Sequence, residues 1–234
     1  MTKVLIDGDI VAYRSAFATE KDFEGKAAEY IDEFMGGILA DTCLFIDESS
    51  YEVFLTAKRN GDSPNFRDQI YSAYKANRKD KPRPRHLSFC RDYLIINYNA
   101  KESFGAEADD YIATRATELG ENAIIASVDK DFLQVPCTFY NVNKREFTKI
   151  TPEQGLWFFY NQLLVGDSVD NIKGAKGIGP VKAAKILKGA ESELDLWKRC
   201  LEAYEGDRDA AVLNARLVWL QREKGQIWKP PDRR

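Results

Sequence analysis

One histidine, His86, serves all 234 residues, and that scarcity excludes much chemistry. A multi-histidine metal centre is impossible, and a Ser/His/Asp triad would have to be built on this one residue inside a strongly basic segment. Cysteine offers little more. Cys43, Cys90, Cys137 and Cys200 lie far apart without paired spacing, which argues against a zinc site or a disulfide framework and leaves four reduced, structural thiols. No apolar run approaches the roughly 20 residues needed to cross a bilayer. The opening "MTKVLIDGDIVAY" enters a strand-like run directly, without a signal peptide's longer hydrophobic region. These absences predict a cytoplasmic protein without a membrane partner. Catalysis, if any, must come from carboxylates, lysines, tyrosines or hard cations such as Mg²⁺ or Mn²⁺.

Apolar residues make up 44% of the chain and charged residues 30%, ordinary for a globular protein with one large domain or a main domain and an appendage. Strand-like runs are expected at 3–7, 51–55, 94–98, 122–127 and 137–141, several of them short, continuous and rich in Ile and Val as in strands buried on both faces. Helical patterns fall between them, near 26–46, 66–74, 86–93, 107–119 and 130–134. This alternation predicts an α/β architecture with a mostly parallel central sheet over residues 1–150. From 151 onward only helices are expected, near 152–164, 180–188, 191–204 and 207–222, with Thr151 as N-cap and Pro152 at the first helical position. Residues 151–234 therefore read as a small all-helical module.

Acids recur at the carboxyl ends of the expected strands, where open α/β sheets bind ligands. "VLIDGD" carries Asp7 and Asp9, "GAEADDYIA" carries Glu107, Asp109 and Asp110, and "IIASVDKDF" carries Asp129 and Asp131. "GDSVDN" adds Asp167 and Asp170 at a spacing of three. A helix start needs one or two acids for its cap and dipole; four clusters exceed that. Like charges so close repel unless their pKa values rise or cations bridge them, and cations are the simpler account. Two such ions would suit phosphodiester hydrolysis.

The basic residues are equally uneven. Residues 57–101 hold 11 Lys or Arg against 4 Asp, and residues 172–190 hold five lysines and no acid. Beside acidic clusters, such segments suggest a track for a polyanion. In "NFRDQIYSAYKANRKDKPRPRH", Arg67, Lys75, Arg78 and Lys79 are placed to meet phosphates, and Tyr74 to stack on a base or bond a phosphate oxygen. In "GAKGIGPVKAAKIL", glycines at 174, 177 and 179 leave backbone N–H groups open ahead of a helix starting at Pro180, an arrangement that receives anions.

In combination and in order, "LIDGD", "NFR…YKANR", "EADD", "VDKDF" and "GDSVDNIKGAKGIG" resemble the 5′-3′ exonuclease and flap endonuclease family, particularly its bacteriophage-type members, which include phage ribonuclease H. The resemblance implies a PIN-like three-layer α/β/α nuclease domain followed by a helix-three-turn-helix DNA-binding element. It implies a monomeric, metal-dependent 5′ nuclease acting on DNA flaps, nicks and duplex ends or on RNA–DNA hybrids, in the host cytoplasm if the source is viral. Carried over, Asp7, Glu107, Asp109 and Asp110 would surround a first Mg²⁺ or Mn²⁺, Asp129 and Asp131 would bridge towards it, and Asp167 and Asp170 would support a second. Tyr74, Lys75 and Arg78 would stand at the scissile phosphate. Lys173, Lys176, Gly177, Gly179, Lys182 and Lys185 would grip the duplex, with K⁺ bound nearby.

One position departs from the family pattern. The acid usual at the end of the second strand is replaced here by Leu55 and Thr56; Asp62 is the expected substitute and Asp47 the weaker one. The segment after "YKANR" is short, which speaks against a tall arch. A PIN-type ribonuclease or a non-catalytic branched-DNA-binding protein is the alternative reading.

Overall fold

The computed structural model describes residues 2–43, 49–57, 64–78 and 82–231. Six strands form its central sheet: β1 (Lys3–Asp7), β2 (Tyr51–Thr56), β3 (Lys101–Ser103), β4 (Ala123–Ser127), β5 (Thr138–Asn141) and β6 (Glu146–Lys149). Their order is β3-β2-β1-β4-β5-β6, parallel except for the antiparallel edge strand β6. The chain therefore builds outward from β1 to β3, then returns to the other side of β1 with β4. Between β1 and β4 lies the switch point, where crossovers diverge and leave a crevice beyond the strand ends.

Alternation along the central strands decides the layers. Val4 and Ile6 face one side with Val53 and Leu55, under helices α1 (Gly8–Ala18), α2 (Glu24–Thr42) and, following the short α3 (Phe66–Ile70), α4 (Leu87–Tyr98). Leu5, Phe54 and Ile125 face the other side, under Ile112, Ala113 and Ala116 of α5 (Ala108–Leu119). The expected three-layer α/β/α architecture is thus present.

Beyond the sheet come α6 (Pro152–Val165), a two-residue strand pair β7 (Gly166–Asp167) and β8 (Ile172–Lys173), then α7 (Pro180–Leu187), α8 (Glu193–Ala203) and α9 (Arg208–Val218). Thr151 caps α6 as expected, in a reciprocal capping box with Gln154. A separate core gathers Phe159, Tyr160, Leu163, Trp197, Ala211 and Trp228, with Tyr74 from the sheet-bearing half packed into it. Gly166 and Gly174 cross where there is no room for a side chain: a Cβ on Gly174 would lie 2.3 Å from the Leu164 carbonyl oxygen. Close packing, rather than an open amide, is what requires glycine at 174.

Several expected elements are corrected. Residues 94–98, expected as a strand, form the last turns of α4; Leu87, Cys90, Arg91 and Leu94 are its buried stripe, while Ile96 is 75% exposed. The strand in that place is β3, three polar residues without an apolar signature. Helix α1 was unexpected because its buried face is mostly small: Gly8, Ala12, Ser15 and Ala16 join Val11. The helix expected over 66–74 stops at Ile70, and 130–134 is a 3₁₀ turn. The β7–β8 pair interrupts a region expected to be only helical.

Candidate active site

Each acid arrives by a local rule. Asp7 ends β1 and caps α1, its Oδ1 accepting the Ile10 N–H at 3.2 Å and its Oδ2 the Ser127 hydroxyl at 2.7 Å. That second bond joins the ends of β1 and β4 across the switch point. Asp129 caps the 3₁₀ turn after β4 through the Asp131 N–H at 2.9 Å, and Asp131 accepts the Gln162 amide of α6 at 2.8 Å. Glu107 is the N-cap of α5, with Asp109 and Asp110 in its first turn. Asp167 accepts the N–H groups of Val169 and Asp170, which fixes the turn after β7.

These groups converge closely enough to perturb one another. Burial, then the charges of Asp9 and Asp129, push the Asp7 carboxyl up to about 7. Burial, then Asp129 and Asp167, push Asp131 up to about 7. Asp109 is raised well above the usual carboxylate range by burial and by Asp7, Asp129 and Glu107. Asp170 also lies high, through burial, although Lys75 and Arg78 oppose the shift. Glu107 goes the other way: burial alone would raise it, but the charges of Lys75 and Arg67 hold it at about 2.

The basic loop enters this cluster from the side. Lys75 Nζ lies 2.7 Å from both Glu107 oxygens and 3.6 Å from Asp170. Arg78 pairs with Asp170. Lys75 has a left-handed backbone, φ 52°, and so does Asn171, φ 60°. The two turns interlock: Lys75 N–H donates to the Asp170 carbonyl at 3.0 Å, and the Asn171 side-chain amide to the Ala73 carbonyl at 2.8 Å. Such backbone strain persists only where the surroundings fix it. Tyr74, expected to stack on a base or meet a phosphate, is instead 3% exposed, its hydroxyl donating to Glu107 at 2.9 Å and reaching Asp170 at 3.3 Å. It orients acids and offers no ring face to a substrate.

Two further expectations are corrected. Arg67 was expected at a phosphate and Asp110 at a metal. Their side chains are 2% and 0% exposed and joined in a bidentate pair at 2.6 and 2.9 Å. Arg67 also donates to the Leu217 and Trp219 carbonyls, and Asp110 also accepts the Glu107 and Gln221 N–H groups. A carboxylate spent on four donors has no lone pair directed at an ion. Asp62, Asp47 and Lys79 lie outside the described residues.

At the corner where an acid was missing, Thr56 donates its N–H to Asp9 at 3.0 Å, and its hydroxyl accepts the Ala108 N–H at 3.0 Å. Arg91 of α4 reaches Asp9 at 2.8 Å, the Thr56 carbonyl at 2.6 Å and Glu102 at 3.0 Å. Sequence reasoning noted Asp9 without giving it a site role, and missed Arg91, Ser127 and Gln162. Arg91 carries no local signal, since only the packing of α4 on α1 aims it inward.

On the helical side, Lys173, Lys176, Lys182 and Lys185 are exposed around the turn 174–179. Gly177 takes φ 70°, Lys182 Nζ caps its carbonyl at 2.9 Å, and α7 starts at Pro180 with no side chain capping its amides.

Among the described residues, no group of three or more His, Cys, Asp or Glu side chains stands as a ready-made ion cage; Lys75, Tyr74, Arg78 and Gln162 hold several of the carboxylates. The donor set nevertheless fits a hard divalent cation. It is all oxygen, and its burial and mutual repulsion, seen in Asp7, Asp109 and Asp131, are what a cation relieves.

Comparison with known proteins shows the family and the fold of the chain. Residues 2–156 match the family model described as 5′-3′ exonuclease, N-terminal resolvase-like domain. The chain is 32% identical over 202 residues to a thermostable DNA polymerase I of Thermus thermophilus, with 79% of this chain covered but only 24% of the polymerase. It is 30% identical over 207 residues to a 5′-3′ exonuclease of Mycoplasma genitalium, covering 79% of this chain and 71% of that one. It is 34% identical over 189 residues to the flap endonuclease Xni of Shewanella woodyi, covering 70% and 73%. In fold it is similar to a solved structure of the T5 5′-exonuclease with zinc bound, at a TM-score of 0.71 and 17% identity over 93% of this chain and 89% of that one. No helix among the described residues is long and apolar enough to cross a membrane.

Proposed function

The chain belongs to the 5′-3′ exonuclease family, and on that premise we propose that it is a divalent-metal-dependent 5′ nuclease hydrolysing phosphodiester bonds of DNA or RNA-primed DNA. The observation that carries this reading is the meeting, beyond the β1–β4 switch point, of acids from four separate segments, with the half-buried Lys75 paired to Glu107 and Asp170 among them. Asp7, Glu107, Asp109, Asp129, Asp131, Asp167 and Asp170 are the side chains that would hold Mg²⁺ or Mn²⁺. When bound, such ions supply a nucleophile at neutral pH and stabilise charge on the transferring phosphoryl group.

The remaining work falls to this chain's own side chains. Burial would lower the Lys75 pKa, but Glu107 and Asp170 outweigh it and raise it, so Lys75 acts as a fixed positive charge and hydrogen-bond donor to a phosphate, not as a base. Arg78, more exposed at the mouth, offers a second donor. The exposed lysines 173, 176, 182 and 185, with the open amides of the turn before α7, would hold a phosphate backbone without reading bases. Residues 151–234 form the grip in this reading, with K⁺ admitted at the same turn, and the protein acts as a monomer.

The test compares 5′-flap, nicked, blunt-duplex and RNA-primed substrates with Mg²⁺, with Mn²⁺ and with EDTA. Cleavage of 5′-ended structures only with metal is expected. Metal-independent cleavage, or a preference for single-stranded RNA, would refute the reading.

A further inference from the structure

We propose that Arg67 and Asp110 are positioning residues: they tie residues 217–221 to the acidic first turn of α5 and so set where Glu107 and Asp109 present their oxygens. The inference rests on the metal-dependent reading above and goes beyond it, because neither residue would touch an ion or a phosphate.

The wiring is specific. Arg67 spends Nη1 and Nη2 on Asp110, Nε on the Leu217 carbonyl at 2.8 Å, and Nη2 again on the Trp219 carbonyl at 2.7 Å. Asp110 answers the Arg67 fork and accepts two backbone groups, Gln221 N–H at 3.1 Å and Glu107 N–H at 3.2 Å. The last bond closes the capping box of α5 and pins the backbone of Glu107; Asp109 sits between these two pinned residues. Arg67 also stands at the root of the loop that ends in Tyr74 and Lys75. One guanidinium thus holds the basic loop, the acidic turn and a strap lying beyond the residues 2–156 matched by the family model.

A buried ion pair is weak evidence for stability, since apolar residues of similar volume often serve as well. What apolar residues cannot supply is four directed bonds that tie two other segments to the one carrying Arg67. Lysine cannot supply them either, having no planar fork. Partners of ligand-bearing groups tune ion affinity in the same way in metal sites generally.

Arg67→Lys keeps the charge and loses the fork; Asp110→Asn keeps the shape and loses the charge. Mn²⁺ affinity is measured by calorimetry on variants whose near-ultraviolet circular dichroism matches the parent chain, alongside duplex affinity in EDTA. Each variant is expected to bind Mn²⁺ about 10–100-fold more weakly with duplex affinity unchanged. A lowered melting temperature with parental Mn²⁺ affinity would mean a merely structural pair and overturn the inference. A second measurement needs no variant. Coupling is reciprocal, so saturating Mn²⁺ should slow hydrogen exchange at the Gln221 amide about 5-fold or more; an unchanged rate also overturns it. A parent chain that binds no Mn²⁺ refutes the proposed function itself, whereas parental binding matched by both variants refutes this inference alone.

Discussion

Lys75 Nζ sits 2.7 Å from each carboxylate oxygen of Glu107, with the Tyr74 hydroxyl on one of the same oxygens at 2.9 Å. An ammonium inside an acid cluster neutralises part of it and stands ready to follow negative charge that arrives on a substrate. Lys75→Met should therefore lower single-turnover cleavage about 10²–10³-fold. Duplex affinity should change little, because the proposed grip on the duplex lies in the lysines of the helical module. Near-parental turnover would show that Lys75 is only a counterion for Glu107.

Stability without metal should fall as pH rises from about 4 to about 7. Asp7 and Asp131 have native pKa values raised from 3.8 to about 7, so over that window the native state binds more protons than the unfolded one, and raising the pH costs stability. The loss should be on the order of 2–4 kcal/mol for the coupled group, levelling off above pH 7. Glu107, lowered to about 2, acts in the opposite direction: its contribution still grows as pH rises past its unfolded value of 4.5 and is complete only above it, so the decline is cleanest from about pH 5 to about 7. Denaturant titrations in EDTA from pH 4 to 8 check this, and Mn²⁺ should abolish the decline. A flat profile in EDTA would mean that burial and mutual repulsion do not hold protons on these carboxyls.

Replacing Lys182 and Lys185 together with Ala should weaken duplex binding and reduce the slope of log affinity against log salt by up to about 1.8. Cleavage at saturating DNA should be preserved. A slope equal to the parent's would remove the α7 turn from the interface.

Gly8→Ala tests how tightly the first acids are placed. A Cβ there would lie 2.6 Å from the Phe54 carbonyl oxygen and 2.9 Å from Val53 Cγ1, so α1 must move off β2, carrying Asp7 and Asp9 with it. A destabilisation of about 1–3 kcal/mol is expected, together with weaker Mn²⁺ binding. Parental values for both would show that the β1–α1 junction yields without cost.

Much of this molecule was legible in one dimension. The apolar runs of β1, β2, β4 and β5 announce themselves because strands buried on both faces need no partner to be recognised. Asp7, Asp129 and Asp131 fall where β1 and β4 end, Glu107 and Asp109 open α5 just after β3, and the basic segments flank them. Elements without an apolar run were illegible: polar β3 looked like a loop, and the apolar end of α4 took its place.

The sequence alone determined which residue types could do chemistry and the order in which they occur. Only tertiary structure decided their roles. Arg67 reads as a phosphate ligand until Asp110, 43 residues away, and the Leu217 carbonyl, 150 residues away, close around it; Tyr74 reads as a stacking ring until the helical core covers it. A side chain's role depends on whether folding leaves its charge facing water or pairs it out of sight. That depends on contacts between distant segments, whose closure is set by the whole core and not by neighbouring residues.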